Sequence, residues 1–312
     1  MSTSRQQWAS RLASNHEQQP IAARRVIVFK GFAEDWVETP GARIFVRHGG
    51  DGFPIVLLHG HPRTSATWHR VAPTLMDAGF TVICPDLPGY GRSVIAHPAS
   101  DHSSSSKRAM ARSIRSAVET LGHTRFYLVG HDRGSYVALR LALDSPAAVA
   151  RLALADCVPI SEHLARADAA FATARWHWFF YAQPDKPERA IAADPLAWYG
   201  FDADTMGAEN FAEVAEAVRR PEVIAGMLAD YRAGLAIDRQ HDEADRDRGK
   251  KLTMPVLALW SIRDDLEKLY GDPLAIWRAW ADQVQGARID SGHHMAEEAP
   301  TQLTGELERF FG

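Results

Sequence analysis

The sequence predicts an α/β protein with a mostly parallel central sheet, helices on both faces and an inserted helical cap. Three observations carry this. Short unbroken apolar runs, such as Pro54-Ile55-Val56-Leu57-Leu58 and Pro255-Val256-Leu257-Ala258-Leu259-Trp260, suit strands covered on both sides. These runs alternate with helical segments at the spacing of strand–helix–strand units. The rhythm stops near Pro159, and residues 161–250 read as Ala-rich, aromatic-rich helix with no strand, before it resumes at Pro255.

Residues 1–25 form a polar N-terminal arm with Arg5 and Arg11, lacking the apolar stretch of a secretory signal. Strands are expected over 26–29, 44–46 and 54–58, the last ending in His59-Gly60-His61-Pro62. A helix over 68–78, a strand over 80–84 and the loop Pro85-Asp86-Leu87-Pro88-Gly89-Tyr90-Gly91 follow. Ser103 to Ser106 read as a surface loop. Met110, Ile114, Ala117, Val118 and Leu121 recur at helical spacing over 106–121. A strand over 126–129, a helix over 135–143 and a strand over 152–154 complete the first part of the core, 26–160. The cap, 161–250, lies over the carboxyl ends of the strands, where open α/β sheets bind ligands. Within it the charged run 242–248 reads as a solvated linker beside a surface His241. The second part, 251–312, holds a strand, a helix over 273–281, the loop Asp290-Ser291-Gly292-His293-His294 and a final helix. Trp198, Trp277 and Trp280 read as packing residues.

Acids outnumber bases by 39 to 35, and no basic block points to nucleic acid. No run is long and apolar enough to span a bilayer. Cys84 and Cys157 end apolar runs and read as buried free thiols, which fits a reducing cytoplasm. The partner is a small-molecule substrate, and a homodimer is compatible with this composition.

The chemistry centres on Gly130-His131-Asp132-Arg133-Gly134 between a strand and a helix. It has the glycine spacing of the nucleophile elbow G-x-S-x-G, with Asp in place of Ser. Such a turn lifts its central side chain above the sheet at a helix N-terminus, where an anion is favoured. A carboxylate with pKa near ~3.9 is already ionised at pH 7, so it can displace a leaving group from a saturated carbon and become an ester. A base is then needed only for the attack of water on that ester. The competing reading is a helix-capping Asp. Ser135 lies inside the helix and is no rival. In this architecture the loop His59-Gly60-His61-Pro62 and the residue after the nucleophile supply oxyanion-stabilising N–H groups, which counts His61 and Arg133 as substrate contacts. The histidine must come last in chain order, and Ser291-Gly292-His293-His294 offers His293, with His294 as the alternative. No carboxylate or Cys cluster with ligand spacing makes the His pair a metal site. The acid that orients the histidine is Asp156 or one of Asp264 and Asp265, all of which follow strands.

The elbow, the His59-Gly60-His61-Pro62 loop and the stretch from Pro85 to Gly91 resemble the haloacetate (fluoroacetate) dehalogenase group of the α/β-hydrolase superfamily, close to epoxide hydrolases. The likeness spans about residues 30 to 310. Trp176-His177-Trp178-Phe179 resembles the group's halide-binding pair, implying His177 and Trp178, and Asp230-Tyr231-Arg232-Ala233-Gly234 resembles the segment of its third halide ligand, implying Tyr231. The same alignment implies Asp156 as the acid. One departure stands out: the group grips the substrate carboxylate with two arginines, of which the first is kept here as Arg133 while the second position, three residues on, holds Tyr136. A guanidinium and a phenol hold a carboxylate less firmly than two guanidiniums. The resemblance implies hydrolytic dehalogenation of a small 2-haloacid. An epoxide hydrolase would share Asp132 and His293 and use Tyr231 with Tyr181 or Tyr199, and a ligand-binding protein would keep the fold without turnover. No metal or organic cofactor is implied, because nucleophile and base are both side chains.

Overall fold

The apolar runs form strands, and their period-two alternation sends neighbouring side chains to opposite faces of one sheet. The computed structural model describes residues 29–312. Nine strands make the sheet: β1 (Ala33–Glu38), β2 (Ala42–Gly49), β3 (Pro54–Leu58), β4 (Thr81–Pro85), β5 (Val94–Ile95), β6 (Phe126–His131), β7 (Val149–Ala155), β8 (Val256–Ser261) and β9 (Val284–Ile289). Their order is β1-β2-β4-β3-β6-β7-β8-β9, with β5 beside β2. β2 pairs antiparallel with its neighbours, and every pairing from β4 to β9 is parallel.

In β3, Val56 and Leu58 join one apolar layer while Ile55 and Leu57 join the other. β8 repeats the rule with Val256 and Ala258 against Leu257 and Leu259. The first layer is closed by the helices Lys107–Thr120 and Arg133–Asp144, through Met110, Ile114, Val137 and Leu141. The second is closed by Ala72–Asp77 and Pro300–Phe311, through Leu75, Leu303 and Leu307. Cys84 and Cys157 are buried and free. Between β7 and β8 the chain is helical, from Ile160–Ala165 to Arg239–Asp247. No described helix is long and apolar enough to cross a membrane.

Several expectations need correction. The arm over 1–25 lies outside the described residues, as does most of the strand expected over 26–29, whose last residue, Phe29, is in a turn. The helix expected over 68–78 is a 3-10 turn, Ser65–Trp68, followed by Ala72–Asp77, with Pro73 in the first helical turn, where its missing N–H costs nothing. The serine run is a 3-10 turn with Ser105 and Ser106 buried, and Ser106 Oγ caps the next helix from Ala109 N–H at 3.2 Å. The run 242–248 is not a solvated linker. It lies in the helix Arg239–Asp247 and its C-terminal cap, and Asp242 and Asp245 are buried against Arg140, with Asp242 at 2.9 Å. Trp277 and Trp280 pack in the core, and Trp198 packs against it.

Arg140 is buried and faces two buried carboxylates. Removing one member of such a group strands the others. Arg140→Ala is therefore expected to lower the unfolding free energy by about 3–5 kcal/mol in urea denaturation. A loss of only a few tenths, the behaviour of exposed pairs, would contradict this.

Candidate active site

β3, β6, β7, β8 and β9 lie in that order across the sheet, and the loops leaving their carboxyl ends carry the site. β6 passes straight into the helix Arg133–Asp144, and Asp132 at the corner has φ 50° and ψ −118°, which few L-residues adopt. Gly134 lets the helix close on β3, since a Cβ there would lie 2.4 Å from the carbonyl oxygens of Leu58 and His59. Asp132 occupies the helix-capping position but makes no capping bond. Instead its Oδ1 accepts the His61 N–H at 2.8 Å, and its Oδ2 lies 3.5 Å from His293 Nε2. This approach needs Gly60, because a Cβ at that residue would meet Asp132 Cβ at 2.5 Å. Ser135 Oγ is fully buried and donates to Gly130 O at 2.7 Å.

His293, rather than His294, faces Asp132. Its Nδ1 is 2.6 Å from Asp156 Oδ2 and 2.8 Å from Asp264 Oδ2, so two of the three candidate acids reach the same nitrogen. The β6–β7 register pairs His131 with Ala155, which brings Asp132 and Asp156 out side by side. Asp156 also has positive φ, 55°, and its Oδ1 accepts Ser261 N–H at 3.1 Å. Asp265 is bonded to Arg175 instead.

The charges support one another. Burial alone would raise the Asp132 carboxyl, but the hydrogen bond and charge of His293, aided by His131 and Arg133, hold it well below the usual carboxylate range. Burial alone would lower His293, but hydrogen bonds to Asp132, Asp156 and Asp264 push it well above 6.5. Burial raises Asp156 to about 6 despite His293. For Asp264, burial is outweighed by the hydrogen bond and charge of His293, and the group is lowered. Burial, with His293 nearby, drives His131 down to about 4. Its Nε2–H donates to the His293 carbonyl at 2.7 Å. His131, Asp156 and His293 bring donor atoms within 4.8 Å of one another, a grouping invisible in sequence spacing. His131 Nε2 and His293 Nδ1 are, however, already committed to these hydrogen bonds.

The helical insertion faces the other side of Asp132. Arg133 is buried, and its Nε donates to Asp230 Oδ2 at 2.7 Å and its Nη2 to Asp230 O at 3.0 Å. Asp230 also accepts Tyr90 O–H at 2.7 Å and pairs with Lys107. The guanidinium lies 4.2 Å over the Tyr231 ring, 5.3 Å from Tyr136 and 5.6 Å from Trp178. His177 and Trp178, on the helix Trp176–Tyr181, converge on Tyr231 with ring centroids 5.9 and 6.3 Å away. The His61 ring sits among Tyr231, Tyr199 and Tyr181 at 5.1, 5.3 and 5.5 Å. Neither of its nitrogens, nor Tyr199 Oη, has a hydrogen-bond partner among the described residues. The structure thus gathers Asp132, His293 and Asp156 in one line of contacts, with His61, Arg133, Tyr136, His177, Trp178 and Tyr231 close by. Sequence reasoning missed Asp230, Lys107 and Tyr90 as partners of this site. Asp230 had a signal, its place beside Tyr231, whereas Lys107 had none.

A family model for the alpha/beta hydrolase fold matches residues 54–300. A fluoroacetate dehalogenase from Burkholderia sp is 35% identical over 292 residues, covering 91% of this chain and 95% of the relative. A soluble epoxide hydrolase from Corynebacterium sp. (strain C12) is 32% identical, covering 87% and 94%. The crystal structure of a Nostoc sp PCC 7120 protein assigned to the alpha/beta hydrolases superposes with a TM-score of 0.87 at 39% identity, covering 91% of this chain and 99% of that one.

His131 gives a pH prediction. Its folded value, about 4, lies below the 6.5 of an unfolded histidine, so between these values the unfolded chain binds more protons and stability rises with pH. The native advantage at pH 7 is lost as pH falls from 6.5 towards 4, by about 3 kcal/mol. Urea unfolding of His131→Gln, compared with wild type across that window, should show a correspondingly shallower slope. Identical slopes would refute this.

Proposed function

This chain belongs to the alpha/beta hydrolase family, and on that footing we propose that it hydrolyses a small 2-haloacid through an ester formed on Asp132. The observation that carries the reading is the ionised, uncapped carboxylate at the strand-to-helix corner, which needs no base to attack. Oδ1 is held by the His61 N–H, which leaves Oδ2 to bond to the halogen-bearing carbon as the carbon–halogen bond breaks. The halide departs towards N–H and O–H donors of His177, Trp178 and Tyr231. Arg133, two of whose nitrogens are engaged by Asp230, turns Nη1 to the substrate carboxylate, with the Tyr136 hydroxyl as the second contact.

In the second step a water molecule attacks Asp132 Cγ and gives one proton to His293 Nε2. The oxyanion forms on Oδ1, stabilised by the N–H groups of His61 and Arg133, the latter in the first helical turn and so without an intrahelical acceptor. The bond from Cγ to the ester oxygen then breaks, and His293 returns its proton to the departing oxygen. The products are a 2-hydroxy acid, a halide ion and the second water proton. The partial commitment of Arg133 and the phenol at Tyr136 favour chloro- and bromoacids over fluoroacetate, whose stronger bond demands a firmer grip. Two buried thiols fit a cytoplasmic setting.

The tyrosines around His61 favour a second reading, epoxide hydrolysis. Tyr231 with Tyr181, ring centroids 5.0 Å apart, or with Tyr199, would donate to the opening alkoxide.

His293→Ala incubated with chloroacetate should gain the mass of a carboxymethyl group on Asp132, while Asp132→Asn should gain none. Its turnover should fall by about 10⁴-fold. In a single turnover in ¹⁸O water, wild type should place the label in Asp132 rather than in product. Diol from styrene oxide without halide release from chloroacetate would favour the second reading. Label found directly in product would defeat the ester mechanism.

A further inference from the structure

A histidine acting as base needs one acid behind it, and this one has two. The single Nδ1–H of His293 faces Asp156 Oδ2 at 2.6 Å and Asp264 Oδ2 at 2.8 Å. The acids come from different places. Asp156 follows β7, has a wholly buried side chain and is anchored by Ser261 N–H. Asp264 follows β8, and its side chain keeps 22% of its exposure. It lies 3.7 Å from Arg175 Nη2, whose guanidinium also binds Asp265. Arg175 immediately precedes the helix Trp176–Tyr181, which carries His177 and Trp178. We infer that Asp264 is a second positioning acid for His293, sharing Nδ1–H with Asp156 and held in place by Arg175 of the helical insertion. This rests on the reading of His293 as the base, though the contacts themselves involve no substrate.

The arrangement has a chemical consequence. In the resting enzyme Asp132, Asp156 and Asp264 surround one imidazole, and three anions favour its protonated form, which cannot accept a proton. Ester formation removes the charge of Asp132 and its contact with Nε2, so the imidazolium releases its Nε2 proton to solvent before Nε2 takes one from water. The two remaining acids keep the ring oriented and stabilise the imidazolium as water gives up its proton. They also keep the ring's proton affinity high, so the second step should quicken as pH rises above the ordinary histidine range. Other charged or titratable groups nearby are His131 from β6, His177 and Arg175 from the insertion, His294 in the same loop, and Glu297 and Glu298 in the helix that follows. Of these, Glu298 bonds the backbone N–H groups of Gly292 and His294, and His131 bonds the His293 carbonyl. Neither bonds the His293 ring.

The test compares wild type, Asp156→Asn, Asp264→Asn and the double variant by NMR titration of labelled histidine in the substrate-free protein. Each single variant should lower the His293 midpoint by about one unit or more, and the double variant should lower it further. With chloroacetate, each single change should cost about 10- to 100-fold in kcat and the double about 10⁴-fold. In Asp264→Asn the alkaline rise of kcat should move to lower pH, because fewer anions make the imidazolium easier to deprotonate. An unchanged midpoint in Asp264→Asn would overturn the inference and leave Asp264 a salt partner of Arg175. It would also fall if either single variant were as impaired as the double. Asp264→Ala provides the same reading should the amide disturb the fold. Failure to turn over chloroacetate would count against the substrate reading, whereas the titration would still decide the role of Asp264.

Discussion

A carboxylate taken out of water ordinarily recovers its proton. Asp132 is buried, yet its carboxyl is held below the usual carboxylate range by the hydrogen bond and charge of His293, an imidazole whose own range is raised by further carboxylates, while its other oxygen accepts a backbone N–H. Much of the carboxyl edge of the sheet serves this balance. The positive φ of Asp132 directs the carboxylate away from its own helix and towards the β3 loop. The parallel register of β6 and β7 brings Asp156 out beside it, and the loop after β9 returns His293 into the gap. The agreement of these contacts keeps one charge where chemistry can use it.

A second group of charges lies under the insertion. Arg133 and Lys107 stand against Asp230 and Asp238, two cations and two anions, all buried. Such a group adds little net stability, since desolvation roughly offsets attraction, but breaking one of its pairs is costly, which favours the arrangement seen. Here that arrangement fixes the Arg133 guanidinium over the Tyr231 ring. The pairing also dilutes its positive charge. An anion entering near Asp132 would therefore meet a cation already largely neutralised.

The sequence disclosed what local sterics dictate and hid what distance creates. The elbow was legible because Gly130 and Gly134 are demanded by one turn and its immediate neighbours. The central strands were legible because burial on both faces leaves unbroken apolar runs. Edge strands left no such trace: β1 exposes every side chain but Val37, and β9 fully buries only Ile289. The acidic residues of 242–248 looked solvated because their partner, Arg140, lies about a hundred residues earlier. Asp156 and Asp264 were read as alternatives for the same reason. Each follows a strand at the same edge, and nothing in the linear order shows that both reach one nitrogen.

Arg133 and Arg140 lie about two turns apart on one helix, and both are gripped by acids of the insertion, Asp230 at one end and Asp242 with Asp245 at the other. Asp132, the nucleophile we propose, sits at the head of that same helix. For chimeras the unit of exchange is consequently larger than the insertion itself. A graft of 161–250 from a relative lacking these acids would leave one guanidinium stranded beside Asp132 and another two turns further along its helix, so swaps of the insertion should carry the elbow helix along.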